Sequence, residues 1–353
     1  MKLCQLAVHH ADPRRHTLQS GLVRDPLPGE ILLEIELFGL SANNVTYAAL
    51  GRQLPYHRFF PIDDEFSALP VWGVGRVLAS RKDELPEGTR VYGYYPAASH
   101  ATFAISAINR VGALVGRPDI PPDFAFYNQY SVAGNDPLYL TDREPWMVVL
   151  RPLFLTGLLL ADYLTQTGYQ EARAVLISSA ASKTAYGLAL ALRAQGSISV
   201  IGIASASSRA AAEALGIYDA VFSYDQLTLD RNIPMVFVDI AGSKQVRASV
   251  SEQLGKSLCG VISVGLTHWQ DAAYGGGAET FFAPSWSARR MREAGNAFAA
   301  QIAQGWLSQV AIASEKLTIT RKEGADAVAS SFAALVAGTA PADQAWVCSL
   351  HAP

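Results

Sequence analysis

From Ala174 onward the chain alternates short apolar runs with longer helix-prone stretches, and that rhythm admits few folds. Strands are expected at Ala174–Ser178, Ile198–Ala204, Met235–Ile240 and Gly260–Gly265. Helices are expected between them at about 184–195, 207–215 and 244–257. Such alternation implies a parallel sheet with helices on both faces. Its opening, AVLISSAASKTAYGLALALRAQGSISVIGIASASSR (174–209), reads as strand, tight turn, long helix and second strand.

The first 115 residues read differently. Glu30–Phe38 partly alternates apolar and charged residues, and Val71–Leu78 and Thr89–Tyr95 continue the strand signal between Gly- and Pro-containing turns. Short strands punctuated in this way suggest a small barrel. Residues 116–145, with their prolines and Gly134, Asn135 and Asp136, argue against a regular element, while their aromatic content suggests packing across a cleft. Phe154–Thr165 and Arg289–Gln304 read as further helices, and residues 289–310 are open to being a substrate lid or a packed helix. Gln344–Leu350 reads as a strand returning to the first domain. The expected domains are 1–130 with 315–353, and 131–314.

Composition closes off several classes. A length of 353 residues allows two substantial cores, and a 17% charged share with half the residues hydrophobic is globular. The net charge of −3 offers no electrostatic case for nucleic acid. The N-terminus lacks a signal-peptide core, and Arg151 and Pro152 break the apolar run around VVLRPLFLTGLLLADYL, so a soluble cytoplasmic protein without membrane partners is expected. The cysteines Cys4, Cys259 and Cys348 are unpaired in pattern, and the seven histidines show no ligand spacing, so no metal is expected.

The turn Ser178–Ala185 occupies the place where G-x-G-x-x-G would face a dinucleotide pyrophosphate. Its glycine positions are matched by Ser179, Ser182 and Ala185, all small. Ser182, Lys183 and Thr184 lie at the expected helix N-terminus, where amides and the helix dipole favour an anion. The plainer alternative is that Ser182 caps the helix and Lys183 is solvated. After the second strand comes Ser205-Ala206-Ser207-Ser208-Arg209, with no acid before Glu213 to hold ribose hydroxyls. Hydroxyls and a cation there suit a 2′-phosphate, favouring NADP(H) over NAD(H). Ser207 is equally suited to capping the next helix.

The order of barrel, α/β domain and C-terminal return resembles the medium-chain dehydrogenase/reductase superfamily. The segments that carry the likeness span most of the chain: 26–51, 85–105, RPLFLTGLLLADYL (151–164), the turn and second strand, ALGIYDAVFSY (214–224), VFVDIAG (236–242) and GVISVGL (260–266). The likeness is greatest to the zinc-free quinone oxidoreductase and enoyl reductase branch. Within it, SSAASKTAYG, YNQY, RPLF and FFAP resemble a bacterial subgroup known as a domain of unknown function.

The resemblance implies a GroES-like β-barrel domain interrupted by a Rossmann doubly wound parallel-sheet domain, with the active site in the cleft between them. It implies a homodimer through the Rossmann domain as one assembly. Where zinc-dependent relatives carry a ligand cysteine after the strand near residue 38, this chain has Ser41. The implied cofactor contacts are Thr156, Ser179, Ser182, Lys183, Thr184, Ser205, Arg209, Tyr224, Gly242, Val264, Gly265 and Leu266, with Thr267 ending the last segment. Such an enzyme needs a hydride donor, a positioned acceptor and hydrogen-bond donors where carbonyl charge develops.

Candidate donors are Asn44, Tyr56 and Tyr47. Tyr127, Asn128, Tyr130, Phe282 and Trp286 are candidates for an apolar or conjugated small-molecule substrate. Against these readings, Asn43 and Asn44 suit a turn, and Tyr56 suits packing beside Phe59 and Phe60. His57 and His100 are further proton-donor candidates. The expected activity is NADPH-dependent, zinc-independent reduction of an enone, enoyl thioester or quinone. The alternative is a non-redox enzyme or a ligand-binding protein on the same scaffold.

Overall fold

The computed structural model describes residues 1–351 apart from 52, 197 and 265–278. Two compact units emerge: Met1–Arg151 with Leu317–Pro353, and Pro152–Lys316.

In the first unit the strands are β1 (Lys2–His9), β2 (Asp12–Leu22), β3 (Glu30–Leu40), β4 (Phe66–Ala68), β5 (Pro70–Ser80), β6 (Arg90–Pro96), β7 (His100–Ile108), β8 (Gly112–Val115) and β9 (Gln129–Val132). Six of them close a barrel in the order β3, β5, β6, β9, β8, β7 and back to β3, which leaves no edge in that ring. In β3 the apolar Ile31, Leu33, Ile35 and Phe38 are buried, while Glu30, Glu34 and Glu36 keep partial contact with solvent. The helix α1 (Ala42–Ala49) follows β3 directly.

One expectation is corrected here. The connector at 116–145 is not wholly irregular: Pro122–Asn128 forms a 3₁₀ turn, and Gln129–Val132 is the strand that completes the barrel. A four-residue strand behind three prolines is too short to show a period of two. The unit also extends beyond residue 130. Asp136 pairs with the buried Arg151 at 2.5 Å, and Glu144 accepts a hydrogen bond from Arg90 at 2.9 Å.

The helix α2 (Glu144–Gln166) begins at Glu144 rather than Phe154 and continues through Pro152. By length and apolarity the segment Thr141–Gln166 is sufficient to cross a membrane, contrary to the break expected at Arg151 and Pro152. In the fold, 78% of its most apolar window is buried, as in a core helix.

The second unit contains β10 (Ala174–Ile177), α3 (Lys183–Gln195), β11 (Ser199–Ala204), α4 (Ala206–Ala214), β12 (Ala220–Ser223), β13 (Met235–Asp239), α5 (Lys244–Leu254), β14 (Leu258–Ser263) and β15 (Glu279–Thr280). Its sheet runs β12-β11-β10-β13-β14-β15, parallel throughout. The order reverses between β10 and β13, and ligands of open α/β sheets sit outside the carboxyl ends of strands at such a point. β10 is buried along its whole length, which explains its lack of polar alternation.

The strand expected at Gly260–Gly265 is β14, ending at Ser263; Gly265 lies outside the described residues. α6 (Ala283–Lys316) is longer than Arg289–Gln304 and kinks at Gly295, where φ is 51°. The chain then returns to the first unit as β16 (Thr318–Glu323), α7 (Ala325–Val336) and β17 (Gln344–Ser349), with β17 antiparallel to β3.

Helices α2 and α3 cross closely because each presents a glycine. A Cβ on Gly157 would come within 2.6 Å of the Gly187 carbonyl carbon, and one on Gly187 within 2.8 Å of the Phe154 ring. Gly157→Ala is therefore expected to destabilise the protein by about 1–3 kcal/mol, because the obstruction is backbone. Its helix-propensity gain of roughly 1 kcal/mol offsets only part of the clash. Chemical denaturation of the variant checks this; unchanged stability would show that the crossing can open.

Candidate functional site

Two constellations stand out, one in each unit. In the second unit, β10 ends in the turn Ser178–Ser182, which leads into α3. Ser179 has φ 52°, a left-handed conformation that residues with a Cβ seldom adopt. Its N–H donates to the Tyr224 hydroxyl at 2.9 Å. Ser182 is the N-cap of α3, and its hydroxyl accepts from the Ala185 N–H at 3.2 Å. The capping expected of Ser182 is therefore what its side chain performs. Lys183 and Thr184 form the first turn of α3, where amides lack intrahelical acceptors as a class.

Behind the turn lies a polar network that the sequence reading did not single out. The fully buried Ser178 donates to Asp239 Oδ1 at 3.1 Å and accepts from the amides of Ile240 and Ala241 at 2.8 and 2.9 Å. Asp239, also fully buried, accepts from the Gly242 N–H at 2.9 Å and pairs with Arg247 at 2.8 Å. Its carbonyl accepts from the Val264 N–H at 3.0 Å. The ends of β10, β13 and β14 are thus tied together, and Gly242 and Val264 stand on that rim. The available sequence signal was a polar residue ending an otherwise apolar run, as in VLIS and VFVD. Gly265, Leu266 and Thr267 lie outside the described residues.

At the end of β11, Ser205 rather than Ser207 is the N-cap of α4. Its hydroxyl lies 3.0 Å from those of both Ser207 and Ser208. Arg209 extends from the first turn of α4 and pairs with Glu213 at 2.8 Å in an exposed i,i+4 contact. An exposed pair of this kind contributes about 0.3–0.5 kcal/mol, so it holds Arg209 only loosely. Thr156 is half-buried on α2, its hydroxyl donating to the Pro152 carbonyl one turn back at 2.8 Å.

Phe282 and Trp286 also belong to this unit. The Trp286 indole N–H donates to the buried Asp162 at 2.9 Å, and its ring meets Tyr163 edge-on at 5.1 Å. Phe282 lies just before α6 and is partly exposed.

In the first unit, three of the named aromatics meet. Tyr47 lies 4.7 Å from Tyr56 between ring centroids and 6.4 Å from Tyr127, and Tyr56 lies 5.9 Å from Tyr127. Tyr94, Phe59 and Trp72 join the cluster. The Tyr47 hydroxyl accepts the Trp72 indole N–H at 3.1 Å. Burial raises its pKa, partly offset by hydrogen bonds with Trp72, Asn43 and Tyr127, so this hydroxyl keeps its proton at neutral pH.

The other candidates in this unit have structural partners. Asn44 accepts the Ser41 N–H at 2.8 Å, forming the capping box of α1, and donates to the Pro70 carbonyl at 2.9 Å. Asn128 and Tyr130 both accept from Arg117, at 2.8 and 3.0 Å, and the Tyr130 hydroxyl donates to the Tyr94 carbonyl. His57 lines a small cavity with His9, His10, Tyr47 and Gly51. His100 bonds Ser99, and burial holds its pKa below the ordinary value. Among the described residues, no three His, Cys, Asp or Glu side chains gather to hold a metal ion.

A family model described as "Protein of unknown function (DUF2855)" matches residues 38–341. No curated protein matches. Among solved structures, CurA from Vibrio vulnificus in complex with NADPH shares 16% identity over 100% of both chains, with a TM-score of 0.65. The yhdH oxidoreductase from Salmonella enterica in complex with NADP shares 14% over 99% of both, with a TM-score of 0.54. A mutant form of enoyl thioester reductase from Candida tropicalis shares 10% over 99% of this chain and 100% of that one, with a TM-score of 0.56. At these identities the likeness establishes the fold, that of a GroES-like barrel with a Rossmann sheet.

Proposed function

The chain belongs to the DUF2855 family, and from that premise we propose that it is an NADPH-dependent oxidoreductase acting without zinc on a conjugated carbonyl or a quinone. The observation that carries this reading is the rim at the carboxyl ends of β10 and β11. A turn of small residues enters a capped helix N-terminus, and a cluster of serine hydroxyls stands beside Arg209 with no acid before Glu213. That donor set fits a dinucleotide with a 2′-phosphate. Two structures of like fold were solved with NADPH or NADP, which supports the same choice.

On this reading Ser182, Lys183 and Thr184 take the pyrophosphate, with Ser179 shaping the turn. Ser205 and Arg209 take the 2′-phosphate, and Tyr224 lies toward the adenosine. Gly242, Val264, Gly265, Leu266 and Thr156 serve the nicotinamide half, which when bound supplies a hydride. Tyr47 or Tyr56 donates a hydrogen bond, and then a proton, where charge develops on the substrate. Tyr47 is suited to the hydrogen bond because its hydroxyl stays protonated in its buried setting. Asn44 serves by fixing α1, which carries Tyr47. The aromatic surroundings of Tyr47 and Tyr127 suit a flat apolar substrate.

Titration with NADPH and NADH, followed by tryptophan fluorescence and calorimetry, tests the reading. NADPH is expected to bind more tightly. Arg209→Ala is expected to weaken NADPH about 10- to 100-fold, the worth of a charge-assisted contact, and to leave NADH nearly unchanged. Absence of saturable binding by either dinucleotide would sink the proposal.

A further inference from the structure

The turn that begins the nucleotide loop holds a left-handed residue without a glycine, so something else fixes its shape. Two tyrosines bracket β12, and both reach back to it. Tyr218, just before the strand, donates its hydroxyl hydrogen to the Ala180 carbonyl at 2.8 Å. Tyr224, just after the strand, accepts the Ser179 N–H at 2.9 Å. The peptide entering the strained residue is therefore held by one phenol, and the peptide leaving Ala180, the next residue, by the other. Burial raises the pKa of Tyr218, which keeps it a donor across the ordinary pH range.

The space for this arrangement comes from the neighbouring strand. Gly202 on β11 has no left-handed φ, so it is needed for room rather than for backbone freedom. A Cβ there would lie 2.8 Å from the Ala180 Cβ and 3.2 Å from the Tyr218 ring. The Ala180 N–H also donates to the Ile203 carbonyl at 3.0 Å, fastening the turn to β11. The close approach that a loop glycine ordinarily provides is here provided by a glycine one strand away.

We propose that Tyr218 and Tyr224 are the positioning residues of the nucleotide loop. Their hydroxyls hold the Ser179–Ala180 turn in its left-handed shape, so that Ser182, Lys183 and Thr184 face the pyrophosphate of the dinucleotide. This rests on the oxidoreductase reading for the identity of the ligand, but not for the shape of the turn. Both tyrosines act here through the turn, and Gly202 is the third part of the device.

The test measures two quantities on the full chain: NADPH affinity by calorimetry, and amide exchange across 179–183 without nucleotide. Tyr218→Phe and Tyr224→Phe, which remove only a hydroxyl each, are expected to speed that exchange and to weaken NADPH about three- to tenfold, the worth of one neutral hydrogen bond. Ser179→Gly in the Tyr224→Phe background is expected to restore affinity to within about threefold, because glycine holds the turn without help. Gly202→Ala is expected to weaken NADPH as well. Faster exchange with unchanged affinity, or a Ser179→Gly/Tyr224→Phe double variant no better than Tyr224→Phe, would overturn the proposal. If the unaltered chain binds neither NADPH nor NADH while exchange in the variants rises, the oxidoreductase reading falls and the clamp stands. If exchange does not change, the clamp falls.

Discussion

Replacing Asp239 with alanine is expected to destabilise the protein by about 3–5 kcal/mol, because it removes one partner of a buried ion pair and leaves the other uncompensated. The carboxylate is fully buried and accepts from Ser178, Gly242 and Arg247, while Arg247 is only slightly exposed. Truncation leaves a guanidinium, a hydroxyl and an amide short of an acceptor in a setting where water does not replace it. For a unit of this size the midpoint should fall by on the order of 10 °C. Asp239→Asn keeps an acceptor for Gly242 and should cost less than the alanine change. Scanning calorimetry of both variants checks the order; equal small losses would show that the network contributes little. The same variants bear on function, since the network fixes Gly242 and Val264 on the rim where the nicotinamide half is proposed to lie.

Asp162→Ala should produce a loss of similar kind, about 3 kcal/mol or more. Asp162 is buried on α2 and accepts from the Trp286 indole at 2.9 Å and from Arg290 at 2.9 Å. Arg290 also pairs with Glu293 at 3.2 Å, but Glu293 is exposed. Glu293→Ala should therefore change stability by less than about 1 kcal/mol. Urea denaturation followed by tryptophan fluorescence compares the two directly, and similar costs for both would contradict the assignment. Because the Trp286 indole N–H loses the carboxylate it donates to, its emission should also shift in the folded Asp162→Ala protein.

The elements of the second unit were legible because their signals are local. Apolar runs such as AVLI and MVFV, each followed by a stretch with a capping serine, mark strand and helix within a dozen residues. Their ends were less legible: α5 stops at Gly255, where φ reaches 52°, and α6 runs on past a glycine kink. β9 was missed because its pairing with β6 and β8 is a property of the closed ring, not of four residues after a proline-rich turn. Among the site residues, the adjacency of Tyr47, Tyr56 and Tyr127 follows from barrel closure and had no marker in their spacing. Asn44 shows the converse, since the turn chemistry expected of it is what its side chain performs.

The sequence by itself determined the parallel-sheet rhythm, the serine-lined turn at the end of β10 and the absence of an acid after β11. These depend on residue type and short-range spacing, which survive in any fold that the chain adopts. Only the tertiary structure decided how a turn without glycine is held. Tyr218, Tyr224 and Gly202 come from two other strands' surroundings and meet Ser179 and Ala180 only when β11 and β12 stack beside β10. A backbone conformation that one glycine fixes locally is here fixed by contacts across the sheet, and contacts of that range are set by topology.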